Sequence, residues 1–352
     1  MSFTPYNAPL LGSLLGDHEA AGFFSVKADI EAMLQFEICL AKAQAQLGMI
    51  SKEASQEITQ KLSIYEADIR TLSQAAAIDG MVVPQFIKSM REILSASSAP
   101  SLHFKSTSQD VIDTSAMMRM KHCAELLLTR VNRLIKSLET LKAKNANHTF
   151  MAYTRMQAAL PSKAGERIDT WLNPLLHAKI SFENLHFPLQ LGGPIASSQA
   201  YDGQLFKIAE LMAPELNLRV PSHVWHNDRS CLVEIGTWLS IVSGHLGKMG
   251  KDVCLMAQMG IDQIEISGGG SSSAMVHKQN PVLAETLVTI AQFNASQMTG
   301  LHQALNHEQE RSGASWMLEW MIMPQLFVST GAALRNAENM IQSIECIGVA
   351  DA

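Results

Sequence analysis

Aromatic residues are scarce in this sequence, at 6% of 352 positions, and charged residues reach only 17%. Few aromatics argue against a β-sandwich, and few charges beside 47% hydrophobic residues argue against disorder. No apolar run approaches the roughly 20 residues that a membrane-spanning helix needs. The N-terminal MSFTPYNAPLLGSLLGD lacks a basic segment followed by a long apolar stretch, so no signal peptide is expected. Cysteines 39, 123, 231, 254 and 346 are widely spaced and form no CxxC pair. That pattern predicts reduced thiols in a cytoplasm. Positive charge is short as well: the net charge of −6 argues against a nucleic-acid partner. It leaves room for a local cationic pocket that takes a small anion.

What is abundant is Ala, Leu and Met, with 20 Met in all. These residues suit helices packed on helices. Up to about residue 100, amphipathic segments such as Lys27 to Leu47 and Ser55 to Ile64 predict a small helical domain broken at Gly80 and Pro84. From Asp110 the apolar positions Ile112, Ala116, Met120, Cys123, Leu127, Val131, Leu134, Leu138 and Leu141 step by three and four. A second seam runs through Leu232, Ile235, Leu239, Val242, Leu246, Met249, Val253 and Met256. Such spacing predicts long helices in a bundle. Three further helices are expected near 160–184, 281–306 and 313–343, with Pro161 and Pro281 in first turns.

The predicted fold class is therefore all-α, with an N-terminal helical domain over 1–105, a central five-helix bundle over 106–345 and a tail over 346–352. Two of the helices are expected to run about forty residues, or about 60 Å at 1.5 Å per residue. Seams that long cannot all be covered within one protomer, so part of the apolar surface is expected to meet other subunits.

One stretch has the composition of a linker: SGGGSSSAMVHKQNP, Ser267 to Pro281. Yet it ends in a lysine, an asparagine and a helix-starting proline. A helix N-terminus carries unpaired N–H groups and partial positive charge. Lys278 and Asn280 beside it suit a carboxylate or a developing oxyanion. In this setting the glycines and serines read as a mobile lid, Gly268–Ser273, carrying a base.

Here the sequence resembles the fumarase/aspartase superfamily, whose GSSxMPxKxNP signature is matched by SSSAMVHKQNP, with Ser271 for its glycine and Val276 for its proline. LHFKSTSQDVIDT (Leu102–Thr114) is similar to its HxGxTSxD region, with Lys105 at the glycine. YTRMQAALP (Tyr153–Pro161) resembles its GRTHxQ region, with Arg155 where that motif has histidine. NHEQERSGASWMLEWMIMPQL (Asn306–Leu326) is similar to the ERxAxxWxxEW pattern of the 3-carboxy-cis,cis-muconate cycloisomerase branch. DGMVVPQF (Asp79–Phe86) and LGGPIASS (Leu191–Ser198) also resemble that branch. The motifs occur in the right order over about residues 75–345. Few residues follow the fifth expected helix, so the C-terminal helical domain common in the superfamily is expected to be missing.

The resemblance implies Ser272 as the proton-transfer group, Lys278 as the stabiliser of an enolate-like intermediate, and His103 as a further catalytic residue. It implies substrate binding by Thr107, Ser108, Arg155, Gln157, Ser273, Met275, Asn280 and Arg311. The implied reaction closes a lactone by intramolecular addition of a carboxylate to a conjugated C=C of a 3-carboxy- or 3-sulfo-type muconate. It needs no metal or other cofactor. The implied assembly is a homotetramer whose sites are shared between chains, acting on a small anionic polycarboxylate.

Plainer readings stand beside these. Thr107 and Ser108 also fit a helix cap; Arg311 also fits a pair with Glu308 or Glu310; Arg155 also fits a structural ion pair. His277 is expected to point away from the site. His223 and His226 are spaced for a metal, but no third ligand is evident. Trp316 and Trp320 read as core, and Glu319 as a buried partner for a basic group. Adenylosuccinate-lyase-like elimination would call for a histidine where Arg155 stands. A non-catalytic bundle of the same fold would not need both Ser272 and Lys278.

Overall fold

The computed structural model describes residues 4–271, 275 and 279–350. Six helices occupy the N-terminal part: α1 (Gly12–Leu15), α2 (His18–Gly22), α3 (Val26–Gln46), α4 (Lys52–Leu62), α5 (Ile69–Asp79) and α6 (Val83–Glu92). The breaks fall where the sequence places them. Gly80 ends α5 in the left-handed conformation, and Pro84 lies in the first turn of α6.

Five helices build the bundle: α7 (Ser108–Asn145), α8 (Ala164–Phe182), α10 (Ser230–Met256), α11 (Val282–Ala304) and α12 (Ala314–Ser343). A shorter α9 (Leu205–Glu215), not anticipated from the sequence, packs on α3. Thr107 caps α7, with its backbone N–H donating to Asp110 at the third helical position. At the other end Lys142 and Lys144 complement the helix dipole. There the Asn145 side chain donates to Leu141 and accepts from the Ile347 N–H.

The first seam is buried from Met120 to Leu141, whereas Ile112 and Ala116 are half-buried. In that first stretch α7 buries Gln109, Asp110, Asp113 and Thr114 instead. The apolar pattern gives way where a polar cluster begins. All eight positions of the second seam are buried. Its helix is 27 residues long, shorter than the expected forty, and Gly260 and Asp262 beyond it both adopt positive φ.

The sequence reading placed helix from about residue 160, with Pro161 in its first turn. Residues there instead form an antiparallel hairpin, β1 (Thr149–Thr154) with β2 (Gln157–Lys163), and α8 starts after it at Ala164. Pro161 sits on this two-stranded edge, where a missing N–H is tolerated. The other strands are short: β3 (Ile264–Ile266), β4 (Gly270–Ser271), β5 (Gln279–Asn280) and β6 (Ile344–Ile347). β6 pairs with β3, and Val349 bridges to Thr149, so the last described residues close over the C-terminal end of α7.

Helices α10 and α11 approach closely because glycine lines the contact. A Cβ on Gly250 would come 2.4 Å from the Ala284 carbonyl oxygen and 3.0 Å from the Leu287 Cβ. Gly250→Ala is therefore expected to destabilise the protein by about 1–3 kcal/mol through overpacking. That opposes the roughly 1 kcal/mol gain which helix propensity alone would give. Denaturant unfolding of the two proteins decides the sign.

Candidate active site

Two carboxylates enter the buried end of α7 and organise everything around them. Asp110 accepts hydrogen bonds from the Thr107 N–H (3.2 Å), the Gly193 N–H (3.1 Å), the Tyr201 hydroxyl (2.9 Å) and the Ser106 hydroxyl (3.3 Å). Its second oxygen meets His226 Nε2 at 2.8 Å, with both side chains fully buried. One turn on, Asp113 accepts from Arg229 at 2.7 and 3.1 Å, from the Trp316 indole at 2.8 Å and from Gln109 at 3.2 Å. Burial pushes the Asp113 carboxyl up, but the charge and hydrogen bonds of Arg229, helped by Trp316, hold it below the ordinary range.

Arg229 uses its other edge on Glu319, with Nε at 2.9 Å and Nη2 at 2.7 Å. The guanidinium thus ties α7, the start of α10 and α12 together, and it lies 4.8 Å from the centre of the Trp225 ring. Glu319 is the buried acid its sequence context suggests, and Trp316 is core that also donates to Asp113. A cavity of about 360 Å³ lies against this triad, lined by Met33, Met117, Trp320 and Met323. Its cations, Arg119 and Arg229, are already paired with Asp29 and with the two acids. It offers little to an anionic substrate.

Arg311 lies at the same end. Its Nε donates to Gln109 Oε1 at 3.0 Å and its Nη2 to Thr107 Oγ1 at 2.9 Å. It does not pair with Glu308 or Glu310, the plainer alternative. Gln109 commits its amide nitrogen to Asp113 and to the His226 carbonyl, so its oxygen must face Arg311. Thr107 is thus both a cap and a partner of Arg311, while Ser108 is the first residue of the helix. His103 stands just before, with Nδ1 2.6 Å from Glu37. Burial pulls its imidazole toward the neutral form, but the charge of Glu37 and the hydrogen bond to it raise its pKa above the ordinary histidine value. Thr107 and Arg311 are in contact, and His103 and Ser108 lie within five residues of Thr107 in the chain, at the same end of α7.

The remaining described candidates lie elsewhere. Arg155 and Gln157 are exposed at the tip of the β1–β2 hairpin, which follows the C-terminus of α7. Asn280 pairs with Gly270, and Met275 is exposed, on the segment between β3 and α11. That segment starts beside the hairpin, since Gln263 donates to the Met151 carbonyl and accepts from the Gly348 N–H. The 38 residues of α7 separate the two groups, about 57 Å at 1.5 Å per residue. Ser272, Ser273 and Lys278 lie outside the described residues, as does His277. The glycines before them have a packing reason. A Cβ on Gly269 would lie 2.9 Å from the Gln279 Cβ, and one on Gly270 would lie 2.5 Å from Val282.

Two departures from the resembled motifs also gain an explanation. Lys105 stands at a glycine position and keeps a glycine-like backbone, with φ of 60°. It pairs with Asp202, which offsets part of a strain of about 1–3 kcal/mol. Arg155 and Met156 both have positive φ, as the two central residues of a type I′ hairpin require. His223 pairs with exposed Asp228 and His226 with Asp110, so the two do not face a common ligand.

Asp110, Asp113, Gln109, Arg229 and Tyr201 are not among the site residues expected from the sequence, and His226 enters there only as a metal candidate. A signal existed for the acids, because Asp110 stands at the aspartate of the motif resembled at Leu102–Thr114 and Asp113 falls three residues before Ala116, on the face of the first seam. Arg229 had none, since its partners lie 116 and 90 residues away.

Comparisons with known proteins agree with this architecture. A family model described as Lyase matches residues 18–294. A 3-carboxy-cis,cis-muconate cycloisomerase from Acinetobacter baylyi (strain ATCC 33305 / BD413 / ADP1) is 30% identical, over 96% of this chain and 80% of its own length. The crystal structure of 3-carboxy-cis,cis-muconate lactonizing enzyme from Pseudomonas putida aligns with a TM-score of 0.88 at 27% identity, covering 96% of this chain and 77% of that one. A fumarate lyase from Mesorhizobium sp. BNC1 aligns with a TM-score of 0.89 at 25% identity, covering 96% and 78%.

The buried triad gives a direct test. Arg229→Met would leave Asp113 and Glu319 without their counterion, at an expected cost of about 3–5 kcal/mol near neutral pH. Because Asp113 has a depressed pKa in the fold, its contribution is present above its unfolded value, about 3.9, and is lost as pH falls through the lower folded value. In the variant the buried carboxyl gains by taking up a proton, so the stability gap should narrow toward about pH 4–5. A gap independent of pH would contradict this.

Proposed function

The chain belongs to this lyase family and has the fumarase/aspartase-type helical fold, and from that premise we propose that it is a cycloisomerase acting on 3-carboxy-cis,cis-muconate. The observation that carries the reading is Arg311, fixed by Gln109 and Thr107 at the start of α7. Guanidinium and helix terminus together suit a carboxylate, in a chain whose cycloisomerase relative matches over 96% of it.

The reaction is an isomerisation, so no atom leaves. One carboxylate oxygen forms a C–O bond to the far carbon of the conjugated alkene. The π electrons shift toward the second carboxylate, and the carbon α to it then takes a proton. The costly species is the enolate-like carboxylate. Lys278, Asn280 and the N-terminus of α11 are the groups assigned to stabilise it, each worth about 2.7–4 kcal/mol. Ser272 is assigned the proton, a role that requires its hydroxyl to be activated by a cation such as Lys278. His103 and Arg311 hold substrate carboxylates, with Ser108, Ser273 and Met275 shaping the pocket. Arg155 and Gln157 approach from the hairpin. With Arg155 where an imidazole would serve as acid or base, adenylosuccinate-type elimination is the poorer fit.

Two halves at opposite ends of α7 cannot meet on one small substrate within a protomer. We infer that the enzyme is a homotetramer in which different chains complete each site. Exposed apolar residues on the bundle, including Ile180 (61% exposed), Ile241 (47%) and Met321 (65%), support such burial. A reducing compartment such as the cytoplasm suits the five free cysteines.

Loss of diene ultraviolet absorbance with 3-carboxy-cis,cis-muconate, run beside the 3-sulfo analogue and adenylosuccinate, tests the activity. Ser272→Ala and Lys278→Met are each expected to lower kcat at least about a hundredfold while the assembly stays folded. A variant keeping more than about a third of kcat would lose its place in the mechanism.

A further inference from the structure

Glu37 is the one charged residue buried in α3, flanked in its helix by the core residues Met33, Phe36 and Leu40. A carboxylate in such a stripe costs several kcal/mol unless it is paired. Its side chain is 0% exposed, one oxygen lies 2.6 Å from His103 Nδ1, and the other has no hydrogen-bond partner among the described residues. The loop that carries His103 is tied down on both sides. Arg91 of α6 donates to the Leu102 carbonyl at 2.9 Å, and Gln44 of α3 donates to the Phe104 carbonyl at 2.7 Å. Between these anchors His103 takes a left-handed backbone, φ 59°, that few non-glycine residues adopt.

We propose that Glu37 is a positioning residue for the reaction: its buried carboxylate takes the Nδ1 hydrogen of His103 and thereby presents Nε2 to a substrate carboxylate. The hydrogen bond at one imidazole nitrogen sets the role of the other. The imidazole is 13% exposed while the Glu37 carboxylate behind it is fully buried. The proposal rests on the reading that His103 serves the substrate.

The charged groups facing His103 are Glu37 from α3, Asp110 from α7 and Arg91 from α6. Asp110 already holds His226, Tyr201 and two backbone N–H groups. Glu37 is therefore the acid that favours the cationic form of His103, against its burial and against Arg91. The raised pKa means that the imidazolium persists above the ordinary histidine range and is lost as pH rises through the folded value.

The test is Glu37→Gln in the full-length, assembled enzyme, read in two ways. One is NMR titration of labelled histidine, with the His103 signal assigned by its loss in His103→Asn. The other is kcat/KM against pH from diene loss. Both the His103 midpoint and the alkaline limb of kcat/KM are expected to move down together by about one unit, giving about a tenfold loss on the alkaline side. An unmoved midpoint overturns the proposal, and so does a midpoint that moves while the limb stays. If Glu37→Gln does not fold, Glu37→Asp withdraws the carboxylate by one methylene. Both readouts should then shift the same way by less, and no shift in either counts against the proposal. Undiminished activity in His103→Asn would reject His103 as a site residue and the proposal with it, a failure the titration alone does not produce.

Discussion

The contact of Arg229 with Asp113 and Glu319 is the constraint on which the site end of this protein depends. Three charges sit where water is excluded, and each guanidinium edge grips one acid. Buried charges are tolerated only when geometry and hydrogen bonding are nearly complete. Here Trp316, Gln109 and Gln190 complete it around Asp113. Gln109 then passes that order outward, because both of its amide hydrogens are spent inside and its oxygen has one place to go. Arg311 is held by that oxygen, so its position is inherited from a buried ion pair.

The same end of α7 repeats the device at smaller scale. Asp110 fixes the entry loop by accepting from Thr107, Gly193 and Tyr201 and by meeting His226. Burial and the nearby Asp110 charge push the Tyr201 hydroxyl well above its usual pKa, so it stays a donor. Glu37 does for His103 what Gln109 does for Arg311.

Long-period features were legible in the sequence. Helices α7 and α10 follow from apolar steps of three and four, and the breaks at Gly80 and Pro84 follow from backbone chemistry alone. The motif residues Thr107 and Arg311 were also legible, although what each touches was not. The β1–β2 hairpin was hidden, because its turn uses Arg155 and Met156 at positive φ instead of the usual Asn-Gly pair. Helix α9 carries no cap signal, and Pro214 lies within it. Arg229 could not be foreseen, since a single arginine at a helix start says nothing about acids a hundred residues away.

Length is what makes the account testable as a whole. His103, Thr107 and Arg311 occupy one end of a 38-residue helix, while Arg155, Gln157 and Asn280 belong to segments beyond the other. If one small substrate meets both sets, different chains must supply them. The decisive measurement mixes inactive His103→Ala and Ser272→Ala enzymes after dissociation and lets them reassemble. Independent draws from two chains would leave roughly a quarter of the sites with both wild-type residues, so about that share of activity should return. With subunit exchange confirmed, a mixture that stays inactive would place both residues in one chain's site and contradict the account.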